Sequence, residues 1–473
     1  MEKILFINPP QKRVSNYTSK EELEWIPLGL CYLSAVAEKE GFDSKVIDLA
    51  RDSFDEVKKI IKKEKPNILG IPCWTDIRMN SFEVAKIAKK INPEIKILMG
   101  GSHATFFSEH LFKLSPVDVV VLGEGEETLK ELLRSFKKKK SLKKIKGIVF
   151  KEKNKIIRTE QRPLIQNLDN FEFPSYKGLE LKRYKGDDKM SRAKNTINGV
   201  MISSRGCPFN CIFCSTCLYW RRKWRARTPK NVVDEMEHIN KTYGVNNVRF
   251  WDDHFALDKK RAIKICQEII KRGLNKKVSW STSSRVDCID EEIVKWMKKA
   301  GCNKIIFGVE SGSPTILKNI NKGFKVEDIK KAFDLCHKYK IFTNASIMVG
   351  NPGENNKTID ETIALLNDIK PDNIIEGGSI LIVFPKTQVY EQMKAAGKIN
   401  DDYWLEDSLA PFYSLEHTWE EMLILDSRLA FGLMSKTQKM KFLYSKSINL
   451  LFKNPKLLFK LAFLYLSNGL KSI

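Results

Sequence analysis

Three cysteines, Cys207, Cys211 and Cys214, stand at intervals of four and three residues in the segment Ser203-Ser204-Arg205-Gly206-Cys207-Pro208-Phe209-Asn210-Cys211-Ile212-Phe213-Cys214. Thiolates are the ligands of iron–sulfur clusters, and three from one loop leave the fourth position of a cubane unfilled by protein. An open coordination position is what lets a metal bind and activate a small molecule. A structural zinc site is the alternative, with Cys217 as a fourth thiolate. Zinc sites usually join two ligand pairs across a longer loop, however, and these four cysteines fall within eleven residues. Cys31, Cys73, Cys266, Cys288, Cys302 and Cys336 are scattered, mostly in apolar segments, and read as core.

The loop follows an apolar strand, GVMISS at 199–204, and that strand opens a series: NVRFW at 247–251, KVSWSTS at 277–283, KIIFGV at 304–309, NASIMVG at 344–350 and apolar residues over 374–384, separated by helical patterns. About six such units are compatible with an incomplete barrel, whose chemistry lies at the carboxyl ends of its strands. Residues 1–136 show a second alternation, ILFIN, KVIDL, NILGI, IKILM and VDVVVL, which implies a parallel sheet with helices on both faces. Its strands run into NPP, IPCWTD, GGSHAT and LGEGEE. Ligands of such sheets sit beyond these ends, and glycine there lets a bulky cofactor approach the backbone. A connector with one hairpin fills 137–195, and 396–473 reads as helical.

Composition is globular, with 42% hydrophobic residues, but 82 Lys and Arg against 58 Asp and Glu give a net charge of +24. That excess points to an anionic partner. Ten cysteines are too few for a disulfide scaffold, and the start, MEKILFINPPQK, lacks the apolar core of a signal peptide, so a reducing cytoplasm is expected.

The spacing Cys207-x3-Cys211-x2-Cys214, with Phe213 before the last cysteine, resembles the cluster motif of radical S-adenosylmethionine enzymes. Further matches follow the strands: Trp251-Asp252-Asp253-His254-Phe255, Ser284-Arg285, Gly308-Val309-Glu310-Ser311-Gly312-Ser313, Gly350-Asn351-Pro352-Gly353-Glu354 and Phe384-Pro385-Lys386-Thr387. With the N-terminal domain, the chain resembles the branch in which a cobalamin-binding domain precedes the radical domain, as in anaerobic magnesium-protoporphyrin ester cyclases and hopanoid-modifying enzymes. The implied fold is α/β, a doubly wound flavodoxin-like cobalamin-binding domain (1–136), the linker (137–195), a partial (β/α)6 radical barrel (196–395) and the helical C-terminal region (396–473).

By the same resemblance, Cys207, Cys211 and Cys214 hold a 4Fe-4S cluster whose open site takes S-adenosylmethionine. Phe213, Asp252, Asp253, Arg285, Glu310 and Ser311 are then its expected contacts, although Asp252 and Asp253 stand where many relatives outside this branch carry Gly-Gly-Glu. On the cobalamin side the expected contacts are Thr75, Gly100, Gly101, His103, Gly123, Glu124 and Gly125. The Asp-x-His-x-x-Gly stretch that supplies a lower cobalt ligand in many cobalamin domains is missing, so the cobalt is expected without an imidazole ligand. The implied chemistry is radical attack on an unactivated carbon, followed by methyl transfer or ring closure.

After Asp426 there is no acidic residue, while nine lysines and arginines alternate with apolar residues. Such a tail suits a helix at an anionic membrane surface, which favours a lipid-like or other membrane-derived small molecule as substrate and a place at the inner face of the membrane. The remaining basic charge suits an acidic electron donor such as flavodoxin or ferredoxin. A methylthiotransferase acting on transfer RNA is the enzymatic rival. The first 135 residues offer only Cys31 and Cys73 toward the second cluster of such enzymes, which makes nucleic acid an unfavoured partner. A non-catalytic metal-binding adaptor is the rival from another class.

Overall fold

The computed structural model describes residues 2–11, 26–153, 155–188, 193–375 and 380–434; the basic tail after 434 lies outside the described residues. Two seven-stranded sheets organise the chain. The first contains β1 (Lys3–Asn8), β2 (Asp43–Asp48), β3 (Ile68–Pro72), β4 (Lys96–Gly100), β5 (Val119–Val121), β6 (Ile148–Glu152) and β7 (Lys155–Arg158) in the order β2-β1-β3-β4-β5-β6-β7. The first five are parallel, and β6 and β7 are antiparallel additions at the edge. The order 2-1-3-4-5 is that of flavodoxin-like sheets, in which the strand order reverses between β1 and β3 and opens a crevice beyond their ends.

The apolar run ILFI of β1 is buried throughout, as a strand covered on both faces requires. Ile4 and Phe6 point into one core while Leu5 and Ile7 point into another, where the helices Phe54–Glu64 and Arg78–Ile91 pack. The Ile4 core also takes the helices Leu28–Lys39 and Glu126–Lys137, and it continues without a break into Val232, Phe250 and Phe307 of the second half.

That half is built on β8 (Lys185–Asp188), β9 (Ala193–Met201), β12 (Asn247–Phe250), β13 (Ser279–Ser284), β14 (Cys302–Glu310), β15 (Phe342–Ile347) and β16 (Asn373–Ile375), ordered β16-β15-β14-β13-β12-β9-β8. Its six parallel strands, β9 and β12 to β16, form the expected open barrel, with β8 antiparallel at the edge. A separate ribbon pairs β10 (Ser204–Arg205) with β11 (Arg225–Ala226). Thr228 and Pro229 start the next helix as their types suggest: the Thr228 hydroxyl accepts from the Asn231 amide, and proline needs no amide at the first helical position.

Three segments differ from their sequence reading. The hairpin near 147–159 is not a free part of a linker, because its strands extend the first sheet. Nor is the rest of that connector loose: Tyr176 and Tyr184 are buried, and the Tyr184 hydroxyl donates to Asp48 Oδ2 at 2.7 Å. Among the described residues the sixth parallel strand is only Asn373–Ile375. Beyond the barrel, the helix Trp419–Leu433 packs on the helix Asn356–Ile369, where Gly432 leaves room for Ile363 and Arg428 pairs with Asp360 at 2.7 Å. Among the described residues no helix is long and apolar enough to cross a membrane.

Candidate functional site

The cysteine loop, residues 206–224, springs from β10 and returns through β11. Its entry is braced from the end of β12. Asp252, only 4% exposed, accepts from the Ser203 amide at 2.7 Å and from the hydroxyls of Ser203 and Ser204, each at 2.5 Å. Asp253 Oδ2 accepts from the Gly206 amide at 2.9 Å, and burial raises the Asp253 carboxyl to about 6. Gly206 has φ of 94°, and a Cβ there would sit 2.1 Å from the Lys223 carbonyl oxygen, so both conformation and space require glycine.

Cys207, Cys211 and Cys214 are half-buried on this loop. Burial lifts the Cys207 thiol to about 11, helped by Cys214, Asp253 and Cys211. Cys211 is raised too by burial, against the pull of Lys322 and Arg285. Iron binding displaces such protons, because only the thiolate is a ligand. Among the described residues no group of three His, Cys, Asp or Glu side chains is placed to hold a metal ion together. A cubane does not need that, since each thiolate takes a different iron. Cys217 stands apart: it is buried, and its thiol donates to the Cys214 carbonyl oxygen at 3.1 Å.

Charged and aromatic groups of the neighbouring strands surround the loop. The Arg285 guanidinium lies 3.6 Å from the Phe209 ring centre and 5.0 Å from that of Phe324, held by Asp287 at 2.8 Å. Phe209 in turn packs against the buried His254. Lys322 Nζ donates to Glu310 Oε1 at 2.9 Å and lies 5.7 Å from the Phe213 ring centre. Glu310 sits where the pairing of β14 with β15 shifts register, at φ of 65°, a conformation that costs a non-glycine residue energy and is held only where the surroundings impose it. Gly308 makes room, since a Cβ there would be 2.6 Å from Glu310 Oε1.

Phe213, Asp253, Arg285 and Glu310 therefore gather around the three cysteines. Two expected contacts do not. Ser311 is fully buried and shares a hydrogen bond with the Thr362 hydroxyl at 3.1 Å, pinning the end of β14 to the helix Asn356–Ile369. Asp252 is occupied by its two serines. Lys322 was not singled out from sequence, because nothing local marks a lysine that pairs back to a strand end twelve residues earlier.

Beyond the ends of β1 and β3, where the sheet order predicts a crevice, lies a cavity of about 990 Å³. Gly100, Gly101, Gly123, Glu124 and Gly125 line it. Trp74 and Trp251, 44% and 43% exposed, come to it from opposite halves of the chain. At Gly29 and Gly123 an added Cβ would meet nothing within 4 Å. Large flat aromatics, bare glycines and a volume at the upper end for ligand pockets fit a macrocycle the size of a corrin. Among the described residues no histidine lines the cavity.

Three residues expected as cobalamin contacts are placed otherwise. His103, expected at the rim, is fully buried between Phe107, Trp404 and Thr75, and neither His103 nor Thr75 lines the cavity. Glu124 reaches the wall, but both its oxygens are taken by Arg205, Arg225 and the Ile165 amide. Burial, with Arg78 nearby, pushes the His103 imidazole down to about 3. The unfolded chain therefore binds a proton below pH 6.5 that the folded one refuses, and stability falls as pH drops from 6.5 toward 3. His254, lowered by burial to about 4, acts in the same direction, so His103→Phe should reduce the fall in melting temperature over that window without abolishing it, while hydroxocobalamin affinity, followed by absorbance, stays at the wild-type value.

Comparison with known proteins agrees with this geometry. Residues 201–366 match the radical SAM superfamily, and residues 17–133 match the B12 binding domain. An uncharacterized methyltransferase of Pyrococcus horikoshii is 37% identical over 89% of this chain and 90% of its own. The anaerobic magnesium-protoporphyrin IX monomethyl ester cyclase of Cereibacter sphaeroides is 30% identical over 80% of this chain and 62% of its own. The solved structure of the radical S-adenosylmethionine methyltransferase TsrM from Kitasatospora setae superposes with a TM-score of 0.69 at 20% identity, over 83% of this chain and 76% of that one, a likeness of fold. With both domains matched and a relative similar over almost its whole length, the chain belongs to the cobalamin-binding radical S-adenosylmethionine enzymes, whose cofactors are a 4Fe-4S cluster, S-adenosylmethionine and cobalamin.

Proposed function

We propose that this enzyme transfers a methyl group to an unactivated carbon of a small molecule, with the cluster on Cys207, Cys211 and Cys214 and the corrin in the cavity beyond β1 and β3. When bound, the cluster and S-adenosylmethionine supply a carbon-centred radical oxidant, and cobalamin supplies the methyl group. The protein's part is placement. Asp253 offers a carboxylate oxygen to an ammonium group, Arg285 a cation to a carboxylate and Glu310 an acceptor to hydroxyls, all charge-assisted contacts suited to the polar ends of S-adenosylmethionine. Phe209, Phe213 and Phe324 keep water from the reacting carbon.

The observation that carries this reading is the shared wall: Arg205, two residues before Cys207, lines the same cavity as Gly100 and Gly123. Two cofactors held side by side convert methyl hand-over into an encounter within one site. The Pyrococcus relative, named a methyltransferase, supports the same choice. Full-length protein, reconstituted anaerobically with iron, sulfide and hydroxocobalamin and given S-adenosylmethionine with dithionite, should form both S-adenosylhomocysteine and 5′-deoxyadenosine. Deoxyadenosine without S-adenosylhomocysteine would assign the chain to ring closure instead.

A further inference from the structure

Arg205 and Arg225 are paired directly across the ribbon β10–β11, at the two ends of the loop that carries the cysteines. Like charges opposite each other in an antiparallel pair repel. Both side chains are also buried, 7% and 6% exposed, so water does little to screen them. The neutralising charges come from the other half of the molecule. Glu124, just past β5, accepts from Arg205 Nη1 at 2.8 Å through Oε1, and from Arg225 Nη1 at 3.0 Å through Oε1 and 2.8 Å through Oε2. Glu126 pairs with Arg205 Nη2 at 2.5 Å. Among the described residues, the ion pairs of these two carboxylates are all with this arginine pair. Trp220, inside the loop, lies 5.8 and 5.3 Å from the two guanidinium groups, which ties the loop's interior to the same hub.

We propose that Glu124 and Glu126 are positioning residues for the cysteine loop: carboxylates of the cobalamin-binding half close the base of the loop that holds the cluster. The proposal rests on the assignment of the cluster to the three cysteines. Glu124→Gln keeps the shape of the side chain and removes its charge, leaving the two arginines opposed. In full-length protein free of iron, amide exchange over residues 206–224 should rise while exchange in β1 to β4 is unchanged. After anaerobic reconstitution, the electron paramagnetic resonance spectrum of the reduced cluster should lose its response to S-adenosylmethionine. Cleavage of S-adenosylmethionine should fall on the order of 10²-fold, the scale set by a displacement of about 1 Å.

Adding Arg225→Gln removes the opposing charge and should restore both protection and spectrum, a rescue that lost packing alone would not give. Wild-type exchange and spectrum in Glu124→Gln, or a double variant no better than the single one, would overturn the proposal. A wild-type chain that takes up no iron would overturn the cluster assignment instead, and the exchange measurement on iron-free protein still decides the role of Glu124.

Discussion

Replacing Cys211 with alanine will leave the anaerobically reconstituted protein depleted in iron and unable to cleave S-adenosylmethionine, whereas replacing Cys217 will leave both properties near wild type. The two thiols lie six residues apart on one loop, yet their surroundings differ. Cys211 is half-buried beside Lys322 and Arg285, cations that favour its thiolate. Cys217 is buried with its S–H committed to the Cys214 carbonyl oxygen, an interaction that needs the proton a metal would displace. A four-thiolate zinc site would instead lose metal in both variants. Iron, sulfide and zinc content together with 5′-deoxyadenosine yield separate the cases, and equal loss of iron in the two variants would bring Cys217 into the ligand set.

The second large effect is expected at Gly29. It is the second residue of the helix Leu28–Lys39, it lines the cavity, and an added Cβ would stand in open space. Gly29→Phe therefore puts a ring into the cavity proposed for the corrin while improving helix propensity. Overpacking of about 1–3 kcal/mol corresponds to a rise in dissociation constant of roughly 5-fold to 150-fold. Hydroxocobalamin titration followed by absorbance should show that rise, with iron uptake and melting temperature retained. Unchanged affinity would move the corrin out of the cavity. Gly123 also faces open space, but its φ of 70° would strain any replacement and confound binding with folding.

The elements were legible because each is a local pattern. Unbroken apolar runs such as ILFI and VVVL mark parallel strands, and the glycine-rich turns after them mark the ends where ligands bind. The three cysteines were legible for the same reason, since one loop carries the whole motif. What escaped depends on residues brought together from afar. His103 follows a strand end and looked like a rim residue, but Trp404, three hundred residues later, closes over it. Glu124 sits in a ligand-type turn, and only the fold brings Arg205 to it across 81 positions of sequence. Ser311 lies in a motif at a strand end, and its hydroxyl turns inward because Thr362 waits on the facing helix. The pattern at 148–158 marks a hairpin, but an edge strand has no sequence mark that tells which sheet it will join.

The core that begins at Ile4 and Phe6 and runs unbroken into Val232 and Phe250 has a thermodynamic corollary. Two halves that share one apolar interior are expected to unfold together, so a ligand gripped by either half should raise a single melting transition in calorimetry. At a hundred times its dissociation constant, such a ligand adds about 2.7 kcal/mol to the whole chain. Corrinoid supply is then expected to set how much folded enzyme persists.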